Sequence, residues 1–137
     1  MRDTRQRQAI RSVFERIDRP LGPKEVLMEA SLEVPNLGIA TVYRNIKTMV
    51  DQQELVPIEL PGQPARYTLP IHVKDYVFLC EKSDRAFFID KTAINFELIE
   101  MDPSFHVTGH SVILYGEYRD PTHVTQTRAP FAALRVS

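Results

Sequence analysis

This chain of 137 residues has a single cysteine, Cys80, and no tryptophan. One thiol excludes an intramolecular disulfide framework and agrees with a reducing compartment. No stretch approaches the ~20 apolar residues that a membrane helix requires. The opening segment MRDTRQRQAIRSV is charged where a signal peptide would be apolar. A soluble, cytoplasmic protein is therefore expected. Charge of one sign is scarce as well, with 17 Lys+Arg against 18 Asp+Glu and a formal net charge of −1. Without a global basic field, any nucleic-acid surface would have to be local. Gly-rich phosphate loops, nucleophile elbows and paired acid–base groups are all missing, so an enzyme is not expected.

What the chain does have is periodicity. Residues 4–18 read as a helix, with Thr4 as its cap and Ile10, Val13, Phe14 and Ile17 on one face. Asp18-Arg19-Pro20 breaks it, because the residue before proline avoids the helical region. Pro23 opens a second helix that runs to Val34, with Val26, Leu27 and Ala30 inward. After the turn VPNLG, the segment IATVYRNIKTMVDQQE forms a third helix over 39–54. Two short strands, 55–60 and 65–69, then flank the turn PGQP. Three helices followed by a hairpin are the winged helix-turn-helix order. Beyond a hinge at 70–75, the pattern predicts strands at 76–80 and 86–90, a helix at 91–101 and a long strand at 106–116. The predicted class is α/β, more closely α+β. A winged-helix DNA-binding domain occupies 1–69, a small dimerisation domain 76–118, and an irregular tail 119–137.

On a helical wheel, Ile39, Val42, Ile46, Met49 and Val50 share one side of the third helix. Thr41, Arg44, Lys47 and Thr48 lie on or beside the opposite side, with Tyr43 at the border and Asn45 nearby. A helix in the major groove needs this division between a docking stripe and a stripe of donors. An amphipathic surface helix would show the same wheel. Arg2, Arg5, Arg7 and Arg11 on the first helix could grip backbone phosphates, or could form an ordinary solvated face. Residues 1–68 hold ten Lys+Arg against nine Asp+Glu, and the remainder seven against nine. That asymmetry has the sign DNA binding needs but is small.

The segments TRQRQAI (4–10), LGIATVYRNIKTMVDQQELV (37–56), ARYTL (65–69) and VTGHSVILYG (107–116) resemble the ferric uptake regulator family of bacterial repressors. The resemblance covers residues 4–118. It implies a winged-helix domain, an α/β dimerisation domain and binding of double-stranded DNA as a homodimer. The tyrosine and arginine of TVYR carry base contacts in the family, which places that role on Tyr43 and Arg44. Thr41, Asn45, Lys47, Arg5 and Arg7 complete the expected DNA-binding set.

The family's metal ligands do not carry over. A histidine expected before the second helix is replaced by the stretch DRPLGP, and a glutamate after ARY by Thr68. The histidine-rich run before the first cysteine reads Lys74-Asp75-Tyr76-Val77, and a glutamate expected near Asn95 is missing, although Glu97 is close. The second thiol of a Cys-x-x-Cys knuckle is Ser83. Only His110 matches a ligand position, and a zinc or iron site needs three or four converging ligands. No cofactor is therefore expected. The alternative is a divalent metal at a rebuilt site using His72, Asp75, His106 or His110. Lys74 could instead replace the metal's charge between the lobes. Cys80, in the apolar run YVFLC, reads as a buried, inert strand residue. The reading is a DNA-binding, repressor-like homodimer without metal sensing. Its rivals are an interaction module that has lost DNA binding, and a metal-responsive repressor.

Overall fold

The structure, a computed structural model, describes residues 2–95 and 101–119. Three helices, α1 (Arg2–Arg16), α2 (Pro23–Ala30) and α3 (Ile39–Asp51), form the first lobe. Their apolar stripes meet in one core that includes Ile10, Val13, Phe14, Val26, Val42, Ile46 and Met49. The helix ends differ from expectation for local reasons. Thr4 lies inside α1 and does not cap it. Past Ala30 the chain forms a turn over Ser31–Glu33, since Val34 precedes Pro35 and is steered away from helical angles. Helix α3 stops because Gln53 adopts φ 63°. The Glu54 N–H then bonds the Met49 carbonyl at 2.7 Å and the Gln53 N–H bonds Val50 at 2.9 Å, the paired bonds of a left-handed helix cap.

The hairpin follows as expected, although shorter: β1 (Val56–Ile58) pairs antiparallel with β2 (Arg66–Thr68). In its turn, Gly62 has φ 74° and the Gln63 N–H bonds the Leu60 carbonyl at 3.1 Å. Proline followed by a positive-φ glycine is the sequence of a type II turn. Leu21, fully buried in the α1–α2 linker, bridges to Tyr67 through two backbone bonds of 2.8 Å. The wing is thereby fixed to the helices. A three-residue turn of 3₁₀-helix, Pro70–His72, leads into the second lobe.

There β3 (Tyr76–Cys80) is central, antiparallel to β4 (Ala86–Ile89) and parallel to β5 (Ile113–Gly116). Two expectations are corrected. Residues 91–93 form a single 3₁₀ turn with no α-helix through Asn95, and 96–100 lie outside the described residues. The strand expected from 106 begins only at Ile113. Parallel pairing starts with Ile113 opposite Val77, the Val112 carbonyl accepting the Val77 N–H at 3.3 Å, and among the described residues no strand pairing is found further upstream. Residues 120–137, most of the expected tail, also lie outside the description.

The two lobes share more than a hinge. Leu60 is buried with Val77, Leu79 and Ala86, and Ile58 packs against them, so the wing completes the second core. Beside it Arg66 is buried, at 7% exposure. Its guanidinium donates to the Asp84 carbonyl (2.6 Å), the Asp84 carboxylate (3.1 Å) and Gln63 Oε1 (2.9 Å). Arg19 bonds Glu25 at 2.7 Å and lies over the Phe87 ring at 5.6 Å. Phe87 in turn stacks on Tyr118 at 4.4 Å. Lys74, considered as a replacement for a metal's charge between the lobes, is exposed. The interlobe cations are Arg66 and Arg19.

Cys80 ends β3 and is 3% exposed. Its Sγ accepts hydrogen bonds from the N–H groups of Ser83 (3.5 Å) and Tyr118 (3.4 Å). The Ser83 hydroxyl, followed by these N–H groups, lowers the thiol from 9.0 to about 7, against the opposing effect of burial. The sulfur is buried as expected, but it is more acidic than an inert core thiol.

Two measurements test these contacts. Arg66→Met should lower stability by about 1–3 kcal/mol, because hydrogen bonds from a charged donor are lost. Asp84→Asn should cost less than about 1 kcal/mol, since the carboxylate is 78% exposed and the carbonyl acceptor remains. Thermal unfolding of both variants checks the order, and equal losses would contradict it. For Cys80, thiolate absorbance should rise with a midpoint near pH 7, and Ser83→Ala should move that midpoint upward. A depressed folded-state pKa stabilises the fold above the unfolded value and loses that contribution as pH falls. Stability should therefore rise from about pH 7 to pH 9, and Cys80→Ala should remove that slope.

Candidate nucleic-acid interface

Helix α3 is held by the burial of Val42, Ile46 and Met49, which turns Tyr43, Arg44 and Lys47 outward into solvent. Ile39, expected on the docking stripe, is 37% exposed because it opens the helix. Tyr43 and Lys47 border a cleft against the wing, shared with Val50, Pro57 and Tyr67. On the other flank, Thr41, Asn45 and Thr48 are half-buried beside α1. Here Arg44 Nη2 donates to Thr41 Oγ1 at 3.2 Å, and Asn45 Nδ2 donates to the Thr41 carbonyl at 2.9 Å. Arg7 reaches across from α1, its Nε donating to Asn45 Oδ1 at 3.3 Å.

The arginines grouped in sequence are separated in space. Arg7 joins α3, but Arg5 donates to the Glu33 carbonyl beyond α2 at 3.3 Å. Arg11 pairs with Glu54 past the end of α3. Of Arg5, Arg7 and Arg11, it is Arg7 that lines a surface with Arg44, while Tyr43 and Lys47 border the wing side of the helix. Gln6 lines that surface too and escaped the sequence reading, since a glutamine among arginines carries no charge signal. What this face offers is two guanidinium groups, an ammonium, a phenol and amides, which suit phosphates and base edges.

The metal candidates do not converge in the same way. His110 Nε2 lies 3.0 Å from the Tyr76 hydroxyl. Asp75 Oδ2 accepts the Lys91 N–H at 3.1 Å. His72 Nδ1 is 3.9 Å from Asp18 Oδ1, and His106 is exposed. Among the described residues, no three His, Cys, Asp or Glu side chains form a metal-binding group. Thr68, at the position where the family carries a glutamate, is buried with its hydroxyl unbonded among the described residues. A lone hydroxyl is a poor replacement for a carboxylate ligand. Among the described residues, the donors at these positions face different partners and do not assemble such a site. Among the described residues, no helix is long and apolar enough to cross a membrane.

Comparison with known proteins bears on this surface. The ferric uptake regulator family profile matches residues 1–115. A ferric uptake regulation protein of Campylobacter upsaliensis is 26% identical over 129 residues, covering 91% of this chain and 83% of that protein. A zinc-bound manganese uptake regulator superposes with a TM-score of 0.69 at 19% identity, covering 83% of this chain and 88% of that one. The ferric uptake regulator of Helicobacter pylori, described as having three functional metal-binding sites, gives 0.58 at 17% identity, covering 83% and 77%. At these identities the solved structures establish the winged-helix and dimerisation-domain fold. The profile spans most of the sequence, and the chain belongs to the ferric uptake regulator family.

Proposed function

We propose that this protein is a DNA-binding transcriptional regulator that acts as a homodimer and does not use its family's metal response. The observation that carries the reading is the outer face of α3, where Tyr43, Arg44 and Lys47 are exposed. Family membership supports the same role. Tyr43 offers an aromatic face and a hydroxyl toward thymine methyls and phosphates, and Arg44 and Lys47 offer donors to guanine edges. The near-neutral charge favours one rival, an interaction module with no DNA affinity. Selection from a pool of random duplexes separates them. The regulator should enrich a sequence, and Arg44→Ala should weaken its binding by about 1–3 kcal/mol while relaxing one position. Failure to enrich any sequence would leave the interaction module. Elemental analysis of purified protein and DNA binding in chelator test the metal reading. The expected results are no stoichiometric metal and unchanged affinity.

Dimerisation is supported by the second lobe's apolar surface. Leu114 and Tyr115 on β5 are 37% and 54% exposed, and Phe105 and Val107 are exposed nearby in sequence. The expected helix residues Phe96, Leu98 and Ile99 lie outside the described residues. Among the described residues, strand β5 is also a sheet edge, a place where another chain readily pairs. A two-fold dimer would carry two copies of α3 to a pseudo-palindromic site. Sedimentation should find a dimer that Leu114→Asp with Tyr115→Asp converts to monomer. An unchanged dimer would move the interface elsewhere.

A further inference from the structure

Between α1 and α3 lies a polar notch of about 130 Å³, lined by Gln6, Arg7, Arg44, Asn45 and Thr48. Its chemistry is one-sided, with two guanidiniums, two amides and a hydroxyl but no carboxylate. The first lobe's other arginines are largely compensated. Arg11 pairs with Glu54, Arg16 with Glu29, Arg19 with Glu25 and Arg66 with Asp84, while Arg5 bonds a carbonyl. Arg7 and Arg44 make no ion pair among the described residues, and they lie together. Two like charges side by side destabilise a surface unless an anion joins them.

The way Arg7 is held is informative. It uses Nε to reach Asn45 Oδ1, which leaves its two terminal nitrogens for a forked contact, the geometry guanidinium uses with phosphate. Asn45 is itself fixed, its amide nitrogen committed to the Thr41 carbonyl. Each polar end of Asn45 thus has a partner within the protein, which fixes the amide plane and leaves one N–H and one lone pair. Thr48 is likewise committed, its hydroxyl donating to the Arg44 carbonyl at 3.1 Å.

We propose that this notch seats one backbone phosphate per protomer, and that Asn45 is a positioning residue that aims Arg7 and does not read a base. The terminal nitrogens of Arg7 take the phosphate oxygens, Arg44 beside it adds positive potential while keeping its donors for a base edge, and the Gln6 amide supplies a neutral donor at the wall. The contact is indifferent to sequence and sets the register of α3 in the groove. It rests on the DNA-binding reading above and assigns that surface a further part.

The test uses the duplex enriched by the wild-type protein, with each phosphate replaced in turn by a neutral methylphosphonate. One position per half-site should stand out in the wild type. Arg7→Met should erase the penalty at that position, lower the slope of log affinity against log salt by about one per protomer, and leave base preference intact. Asn45→Val should erase the same penalty, again without altering base preference. Should Asn45→Val fail to fold, Gln6→Met and Arg7→Met still report on the notch. A profile in which no phosphate stands out would overturn the seat. A changed base preference in Asn45→Val, with the phosphate penalty retained, would make Asn45 a reader. Failure to enrich any duplex would instead remove the DNA-binding reading, and this proposal with it.

Discussion

The buried guanidinium of Arg66 fixes how the parts of this molecule sit together. The wing's strands are three residues each, too short to hold a hairpin alone. On one side the Leu21–Tyr67 bridge ties the wing to the helices. On the other, Arg66 ties it to the β3–β4 turn, where Asp84 presents both a carbonyl and a carboxylate. Asp84 adopts φ 60° in doing so, a conformation aspartate tolerates better than most residues. Leu60 enters the second core beside this contact. The orientation of α3 relative to the β-lobe therefore follows from a charged contact and an apolar one at the same place.

Magnitudes rank these contributions. The Asp84 carboxylate is largely exposed and adds little, as surface ion pairs do. Glu25, at 4.0 Å from Arg66, adds less still. The short bond to the Asp84 carbonyl is the stronger element, because its donor is charged and desolvated. Arg19 over Phe87 contributes on the order of 0.5–1 kcal/mol, and the Phe87–Tyr118 stack about as much again. Their sum is a few kcal/mol, well below the ~10–16 kcal/mol of a structural zinc site. A joint of this strength must lean on apolar burial, which is what Leu60 and Ile58 supply.

Much of this arrangement was legible in the sequence, and the exceptions share a cause. Periodicity located all three helices, the wing and strands β3 and β4, because each has its own repeat and nearby breakers. The stretch HVTGHSVILYG was read as one long strand, yet only its apolar end forms β5, since the run TGHS at 108–111 has no apolar face to pack. The outer face of α3 was readable from the wheel. Which arginine joins it was not, because Arg5 and Arg7 differ only in the face of α1 they occupy. The interlobe cations went unread for a related reason. In β2 it is Arg66 and Thr68 that are buried while Tyr67 is half-exposed, an inversion of the usual alternation. Lys74 looked like the better candidate only because it stood beside lost ligands.

The candidate metal donors are already engaged: Cys80 by two N–H groups, Asp75 by the Lys91 N–H, and His110 at the Tyr76 hydroxyl. Exchanging such bonds for a metal would cost only about 1 kcal/mol each, so the cost of exchange alone would not keep a metal out. Convergence is the stronger constraint, because these donors face different partners and a zinc site needs them within ~2.0–2.3 Å of one point. The Ser83 hydroxyl, followed by the N–H groups of Tyr118 and Ser83, lowers the Cys80 thiol. The β3–β4 turn that carries these groups is closed from the wing side by Arg66 on Asp84.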